Sequence, residues 1–205
     1  IFIDARQYAT SFARNVSIHS NTLGPTGYDP DSGGALASIL LTGYIENVKI
    51  YNNILYSALS NSANDPSQVT TNYNIYFIPS EIPDKRMLGW GSKTYNAGQL
   101  ANFQLDIGQE LQGKEINPDV VDIANFDFRL KSTSPAIDAG ANLASIFTLP
   151  SLFKDIDGII RPQSSTYDIG AYEYPSGGTP TCTENWTCSA WSACTSGTQT
   201  RTCTD

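Results

Sequence analysis

Proton transfer near neutral pH favours histidine, and the chain offers one, His19. Arg14 and Lys49 are placed to share its face, a combination that could remove a proton beside a carboxylate while the cations hold the developing charge. No Asp or Glu cluster accompanies them, and the alternation Ser17, His19, Asn21 makes His19 read as an outward-facing, exposed position. A second chemistry would use two carboxylates flanking a water, for which Asp29 and Asp31 are nearest. Their setting, Tyr28-Asp29-Pro30-Asp31-Ser32-Gly33-Gly34, reads instead as a loop of Asx turns. Asp155-Ile156-Asp157-Gly158 opens like a calcium loop, but Ile159-Ile160-Arg161 stand where further oxygen ligands belong. That segment reads as a turn, with Arg161 pairing with an aspartate. Neither a metal site nor a cofactor is expected, calcium being the one weak candidate, and no Cys/His ligand spacing, Gly-x-Ser-x-Gly elbow or phosphate loop occurs. Asn15-Val16-Ser17 and Asn185-Trp186-Thr187 satisfy the N-glycosylation sequon.

The elements that must hold these residues are short strands. Only 16% of the 205 residues are charged, against roughly 25% in an average domain. Asn, Ser, Thr and Gly fill the difference, and these favour strands, turns and ladders over long helices. The net charge of −8 without a basic cluster excludes a nucleic-acid or anionic-membrane partner and fits a neutral, cationic or sugar partner. No apolar run is long enough to span a membrane. Ile1 opens on strand-like sequence without Met or a signal-peptide n-region, so the native N-terminus is expected upstream.

An internal repeat organises the first half. Asn15-Val16-Ser17-Ile18-His19-Ser20-Asn21-Thr22-Leu23 recurs as Asn47-Val48-Lys49-Ile50-Tyr51-Asn52-Asn53-Ile54-Leu55, and more loosely from Gln68 to Tyr76. Val16, Val48 and Val69 align, as do Asn21, Asn53 and Asn74. Each copy alternates apolar and polar and then bends at asparagine, the pattern of a strand ending in a corner. This predicts an all-β fold whose short strands form coils of a parallel β-helix. Asn21, Asn53 and Asn74 then form a structural ladder, each amide donating to one neighbour and accepting from the other, and each bending the chain through a left-handed conformation. From Pro79 the period breaks, and the remaining segment is expected to cover the open end of the sheets, with a short helix near Gly98 to Gln104 and a strand over Phe126 to Leu130.

The order of segments Asn117-Pro118-Asp119-Val120, Phe126 to Leu130, Ser134-Pro135-Ala136-Ile137-Asp138-Ala139-Gly140, Asp155 to Pro162 and Tyr167-Asp168-Ile169-Gly170-Ala171-Tyr172-Glu173-Tyr174 resembles the C-terminal end of secreted, pectate-lyase-like parallel β-helix repeat proteins. The resemblance covers about Asn15 to Tyr174. It implies a right-handed parallel β-helix seen as its last rungs plus a C-terminal cap, and implies no activity, since that family mixes lyases, glycosidases, epimerases and adhesins.

Pro175-Ser176-Gly177-Gly178-Thr179-Pro180 has linker composition, which divides the chain into residues 1–174, a linker at 175–180 and a small module at 181–205. All four cysteines, Cys182, Cys188, Cys194 and Cys203, fall in the module and are expected in disulfides whose pairing stays open among three arrangements. Trp191-Ser192-Ala193-Cys194 with Gly197 and Arg201-Thr202-Cys203 resembles a partial thrombospondin type 1 repeat; a generic disulfide knot is the alternative. The resemblance implies stacking of Trp186 and Trp191 with Arg201, a cation–π arrangement.

These features together predict an extracellular or cell-surface protein with a structural, adhesive role that contacts a polysaccharide, a glycoconjugate or another surface protein. One alternative is a fragment of a polysaccharide lyase or glycoside hydrolase whose catalytic rungs lie upstream of residue 1. The other is a subunit joined through its open Ile1 edge, either to N-terminal rungs or to a neighbouring copy.

Overall fold

Short strands with one apolar face need other sheets to cover it, and this chain meets the need by returning repeatedly to the same three sheets. A computed structural model of the chain describes residues 1–5, 13–25, 28–29, 34–35, 37–82, 85–147, 153–175, 187–194 and 198–204. A first pass lays down β1 (Phe2–Ala5), β2 (Ala13–His19) and β3 (Thr22–Leu23). A small antiparallel pair, β4 (Tyr28–Asp29) and β5 (Gly34–Ala35), follows. The second pass is β6 (Ile39–Gly43), β7 (Ile45–Tyr51) and β8 (Ile54–Leu55), and the third is β9 (Leu59–Ala63), β10 (Val69–Asn72) and β11 (Ile75–Tyr76). Equivalent strands pair in parallel as β1-β6-β9, β2-β7-β10 and β3-β8-β11. The repeated valines stand opposite one another, Val16 against Val48 and Val48 against Val69.

The interior is filled by apolar side chains from all three sheets. Leu41, Val48, Ile50, Leu55, Leu59, Val69 and Tyr76 are fully buried between them and form one cluster. At the far end the first sheet gains β12 (Arg86–Trp90), parallel to β9, and then β13 (Lys93–Asn96), which turns back antiparallel. Helix α1 (Leu100–Ile107) packs Phe103 against Trp90 and Tyr95 and ends at Gly108, whose φ of 72° closes a left-handed cap. Strand β14 (Lys114–Glu115) adds to the third sheet beside β11. The helix starts at Leu100 rather than at Gly98, because Ala97 and Gly98 form the turn before it.

The rest of the first 175 residues corrects the expectation of an end cover. From Val120 onward the chain runs back along the outside of the third sheet and reaches the first pass. Its hairpin, β15 (Val120–Asp122) with β16 (Asp127–Leu130), and Ala136 and Ile169 bury the outward residues Ile54 and Ile75. The physical reason lies in β8 and β11, where adjacent apolar residues Ile54-Leu55 and Ile75-Tyr76 leave both faces of the sheet in need of cover. Gly170 sits closest. A Cβ there would lie 2.7 Å from Ile54 Cδ1 and 2.9 Å from Thr22 Oγ1, and the residue has a φ of +106°. Gly170→Ala is therefore expected to destabilise the protein by about 2 kcal/mol through overpacking and backbone strain, read as a lowered urea midpoint; an unchanged midpoint would show that the outer segment is not packed this closely.

Among the described residues no helix is long and apolar enough to cross a membrane. In the C-terminal module β17 (Thr187–Cys188) and β18 (Cys203–Thr204) pair antiparallel, with Cys188 opposite and disulfide-bonded to Cys203.

Candidate functional site

The corner between the second and third sheets carries the repeated asparagines. Asn21 Nδ2 donates to Asn53 Oδ1 at 2.9 Å, and Asn53 Nδ2 donates to Asn74 Oδ1 at 2.9 Å. The backbone N–H of Asn21 and of Asn53 reach the same two oxygens at 3.1 and 2.9 Å. Each Nδ2 also donates to the carbonyl two residues before it, at His19, Tyr51 and Asn72, which closes the bend. The left-handed residue, however, is the one preceding each ladder asparagine: Ser20, Asn52 and Tyr73 have φ of 54°, 53° and 57°. The ladder residue keeps its ordinary conformation because its side chain, rather than its backbone, makes the corner. A second asparagine pair lies on the exposed side, where Asn47 Nδ2 donates to Asn15 Oδ1 at 2.8 Å.

The ladder ends on a residue that no sequence motif marks. Glu110 is buried, with 1% of its surface exposed. Its carboxylate accepts from Asn74 Nδ2 at 2.6 Å, Tyr76 Oη at 2.7 Å, Asn74 N at 3.3 Å and Thr71 Oγ1. Burial raises its pKa, and the bonds from Thr71, Asn74 and Tyr76 oppose that shift. Its neighbours cover the end of the second sheet, Gln109 Oε1 accepting from Thr71 N at 2.9 Å and Gln112 Oε1 from Asn72 Nδ2 at 2.5 Å. Gly113 packs closely against it, since a Cβ there would fall 2.4 Å from Glu110 Oε2.

The face holding Arg14, His19 and Lys49 is already engaged. His19 is not an exposed ladder position: its ring stacks on Phe147 with centroids 4.8 Å apart and meets the edge of Phe153 at 5.6 Å. The outer segment arrives there, with Tyr51, Tyr73, Phe147 and Phe153 packing around Leu143 and Tyr167. Burial, and then the positive charge of Arg161, lower the His19 pKa. Lys49 Nζ lies over the Phe147 ring, 5.9 Å from its centroid, and Arg14 pairs with Glu46 at 2.8 Å. An imidazole under a phenyl ring has no substrate face, so these three residues are not assembled for proton abstraction.

Asp29 belongs to β4, and Asp31 lies outside the described residues. Asp155 Oδ1 accepts from the backbone N–H of Asp157 and of Ile159, an Asx turn. Among the described residues no group of three His, Cys, Asp or Glu side chains could hold a metal ion. Among the described residues Arg161 pairs with Glu173 rather than with an aspartate: its guanidinium, buried with Glu173, lies 3.4 Å from that carboxylate and donates to the carbonyls of Asp168 and Gly170. In the module Cys194, expected in a disulfide, is exposed with a free thiol among the described residues, where the facing strands join Cys188 to Cys203. Arg201 lies over Trp191 at 4.6 Å from the ring centroid, while Cys182 and Trp186 fall outside the described residues.

Two depressions flank the β15–β16 hairpin. On one side a cavity of about 290 Å³ includes Tyr56, Phe77, Asp119 and Asp122 in its walls. Its carboxylates are already engaged, Asp119 by Lys131 and Thr133, and Asp122 by Asn125 and the N–H of Ala124. On the other side a groove of about 400 Å³ is lined by Tyr172, Tyr174, Arg129 and Asp157 over Leu130 and Ile159. Arg129 is fixed by Asp127 through Nε at 2.8 Å and Nη2 at 2.5 Å, and Nη1 makes no bond among the described residues. Burial, and then the charges of Asp157 and Asp127, raise the Tyr172 pKa, so its hydroxyl stays protonated at neutral pH. Two tyrosines beside aliphatic side chains, with a positioned guanidinium and an exposed carboxylate, suit a ligand that is apolar on its faces and hydroxylated at its edges.

A scan of protein-family models and a search of curated proteins found no match to this chain.

Proposed function

We propose that the chain is the C-terminal part of a right-handed, pectate-lyase-like parallel β-helix carrying a partial thrombospondin type 1-like module, and that it works at a cell surface or outside the cell as an adhesive protein that contacts glycans. The three returning sheets support the solenoid reading, since stacked passes of this kind are the working unit of such folds. The Cys188–Cys203 disulfide and the stacking of Arg201 on Trp191 support an oxidising, extracellular setting and the module reading. The engaged state of His19 and Lys49 favours a binding role over catalysis on this segment.

The observation that carries the glycan reading is the groove of Tyr172, Tyr174, Arg129 and Asp157. Pyranose rings offer C–H faces to aromatic side chains and hydroxyls to carboxylate and guanidinium groups. Because Arg129 is neutralised by Asp127 and the chain carries −8, the ligand is a neutral saccharide rather than a polyanion. The test is titration with a panel of neutral oligosaccharides, followed by calorimetry and tyrosine fluorescence. Tyr172→Ala and Arg129→Ala should each weaken binding at least about tenfold while leaving the urea midpoint within error. Absence of saturable binding to any neutral glycan, or full affinity in both variants, sinks the proposal; cleavage of the glycan on incubation would move the reading to the enzyme class.

A further inference from the structure

The two ends of the three-sheet stack are built differently. At the far end β13, α1 and the loop bearing Glu110 close it. At the near end β1, β2 and β3 are, among the described residues, the outermost members of their sheets, so one complete pass turns a strand edge outward. The inward apolar residues of that pass, Ile3, Val16 and Leu23, are only half-buried, whereas their register partners Leu41, Val48 and Leu55 are fully buried.

The asparagine ladder gives this end a polarity. Every step donates Nδ2 toward Glu110 and accepts on Oδ1 from the other side. At Asn21 both amide hydrogens are engaged, on His19 O and Asn53 Oδ1 at 2.9 Å each, and Oδ1 accepts no bond among the described residues. A second copy meeting through the same end would set Oδ1 against Oδ1, and the opposite end is closed. The open acceptor asks for a donor, and the strand edges ask for parallel partners.

We propose that this end receives one further strand–asparagine–strand pass in cis, running parallel to β1, β2 and β3, whose asparagine donates its side-chain amide to Asn21 Oδ1. The covalent route suits the register. Phe2 stands opposite Leu40, and Leu40 opposite Ser60, so Ile1 occupies the place that Leu59 holds directly after Ala58. This inference rests on the solenoid reading above, and the experiment separates the two.

A copy of residues Ile39–Ala58 is fused directly ahead of Ile1, which preserves that register. The fusion is expected to raise the thermal midpoint by at least about 4 °C and to slow amide exchange in β2 and β3 at least about tenfold. Asn53→Asp within the added copy, which sets a carboxylate against Asn21 Oδ1, should remove most of that gain. An unchanged midpoint with unprotected β2 and β3 overturns the proposal, as does an equal gain from both fusions or a dimer of the unextended chain in sedimentation. Exchange in the unextended chain tests the underlying reading: β7 and β8 should be better protected than β2 and β3, and if they are not, the solenoid itself is wrong and the proposal falls with it.

Discussion

Glu110→Ala is expected to lower the stability of the protein by about 4 kcal/mol or more at neutral pH, the largest effect of any side chain outside the apolar interior. The carboxylate is the terminal acceptor for Asn74 Nδ2, Asn74 N, Tyr76 Oη and Thr71 Oγ1. Each buried donor left without an acceptor costs on the order of 1 to 3 kcal/mol. Thr71 recovers part of the loss, since its hydroxyl also accepts from Asn74 Nδ2 at 3.0 Å. Glu110→Gln should cost roughly half as much, because the amide oxygen still accepts from Asn74 and Tyr76 while its NH₂ faces a donor. The ionised form is disfavoured by burial, so the folded-state pKa is raised and the wild-type advantage shrinks as pH rises above the usual carboxylate range. Urea denaturation of both variants checks the order, and side-chain amide resonances of Asn53 and Asn21 should shift with it, because the ladder transmits the loss of its end. A cost below about 1 kcal/mol for Glu110→Ala would mean the ladder is not anchored there.

Arg161→Met is expected to cost about 3 to 5 kcal/mol at pH 8, and at least about 1 kcal/mol less at pH 5. The guanidinium lies in the outer segment among Glu173 and the carbonyls of Asp168 and Gly170, with both partners of the ion pair only 1% exposed. Its loss orphans two carbonyls at any pH. Above neutrality it also leaves the Glu173 carboxylate without its counter-ion. Burial is the first cause that pushes the Glu173 pKa up to about 7, and the nearby Asp168 raises it further while Arg161 lowers it. A raised carboxyl pKa means that the folded state holds the proton longer than the unfolded chain, so stability is fully present below about pH 4.5 and declines as pH climbs through about 7. Removing Arg161 steepens that decline. Asp168 shifts in the same direction, and His19, whose pKa is lowered, works oppositely below its ordinary pKa of 6.5. The readout is the difference between Arg161→Met and wild type across pH, repeated in a Glu173→Gln background, where the pH dependence of that difference should flatten to the smaller part that Arg161 exerts on Asp168 and His19. A pH-independent difference in both backgrounds contradicts the assignment.

Several features are legible in the order of the residues alone. Alignment of Val16 with Val48 and Val69, and of Asn21 with Asn53 and Asn74, follows from local spacing, and parallel pairing of equivalent strands carries that spacing directly into register. Side chains on stacked, identical corners must meet, so an asparagine ladder can be read from one dimension. Clustering of the cysteines in the last 24 residues likewise marks out a disulfide-bearing segment without reference to the rest.

Other features depend on what is distant in the chain. Glu110 stands 36 residues beyond Asn74 and shares no motif with the asparagines; only the loop after α1 delivers a carboxylate to the place of the next amide. His19 obeys the same alternation as its neighbours, and nothing local tells that Phe147, 128 positions later, would lie across its ring. Assignment of Cys188 to Cys203 is settled by which backbones face each other, and that of Arg161 to Glu173 by how the outer segment folds on itself. The repeating strands and their asparagine corners follow from residue order, because period and turn chemistry act within a few residues. What covers the strands and which charges are buried emerges only on folding, because burial is a property of the surface that arrives from elsewhere in the chain.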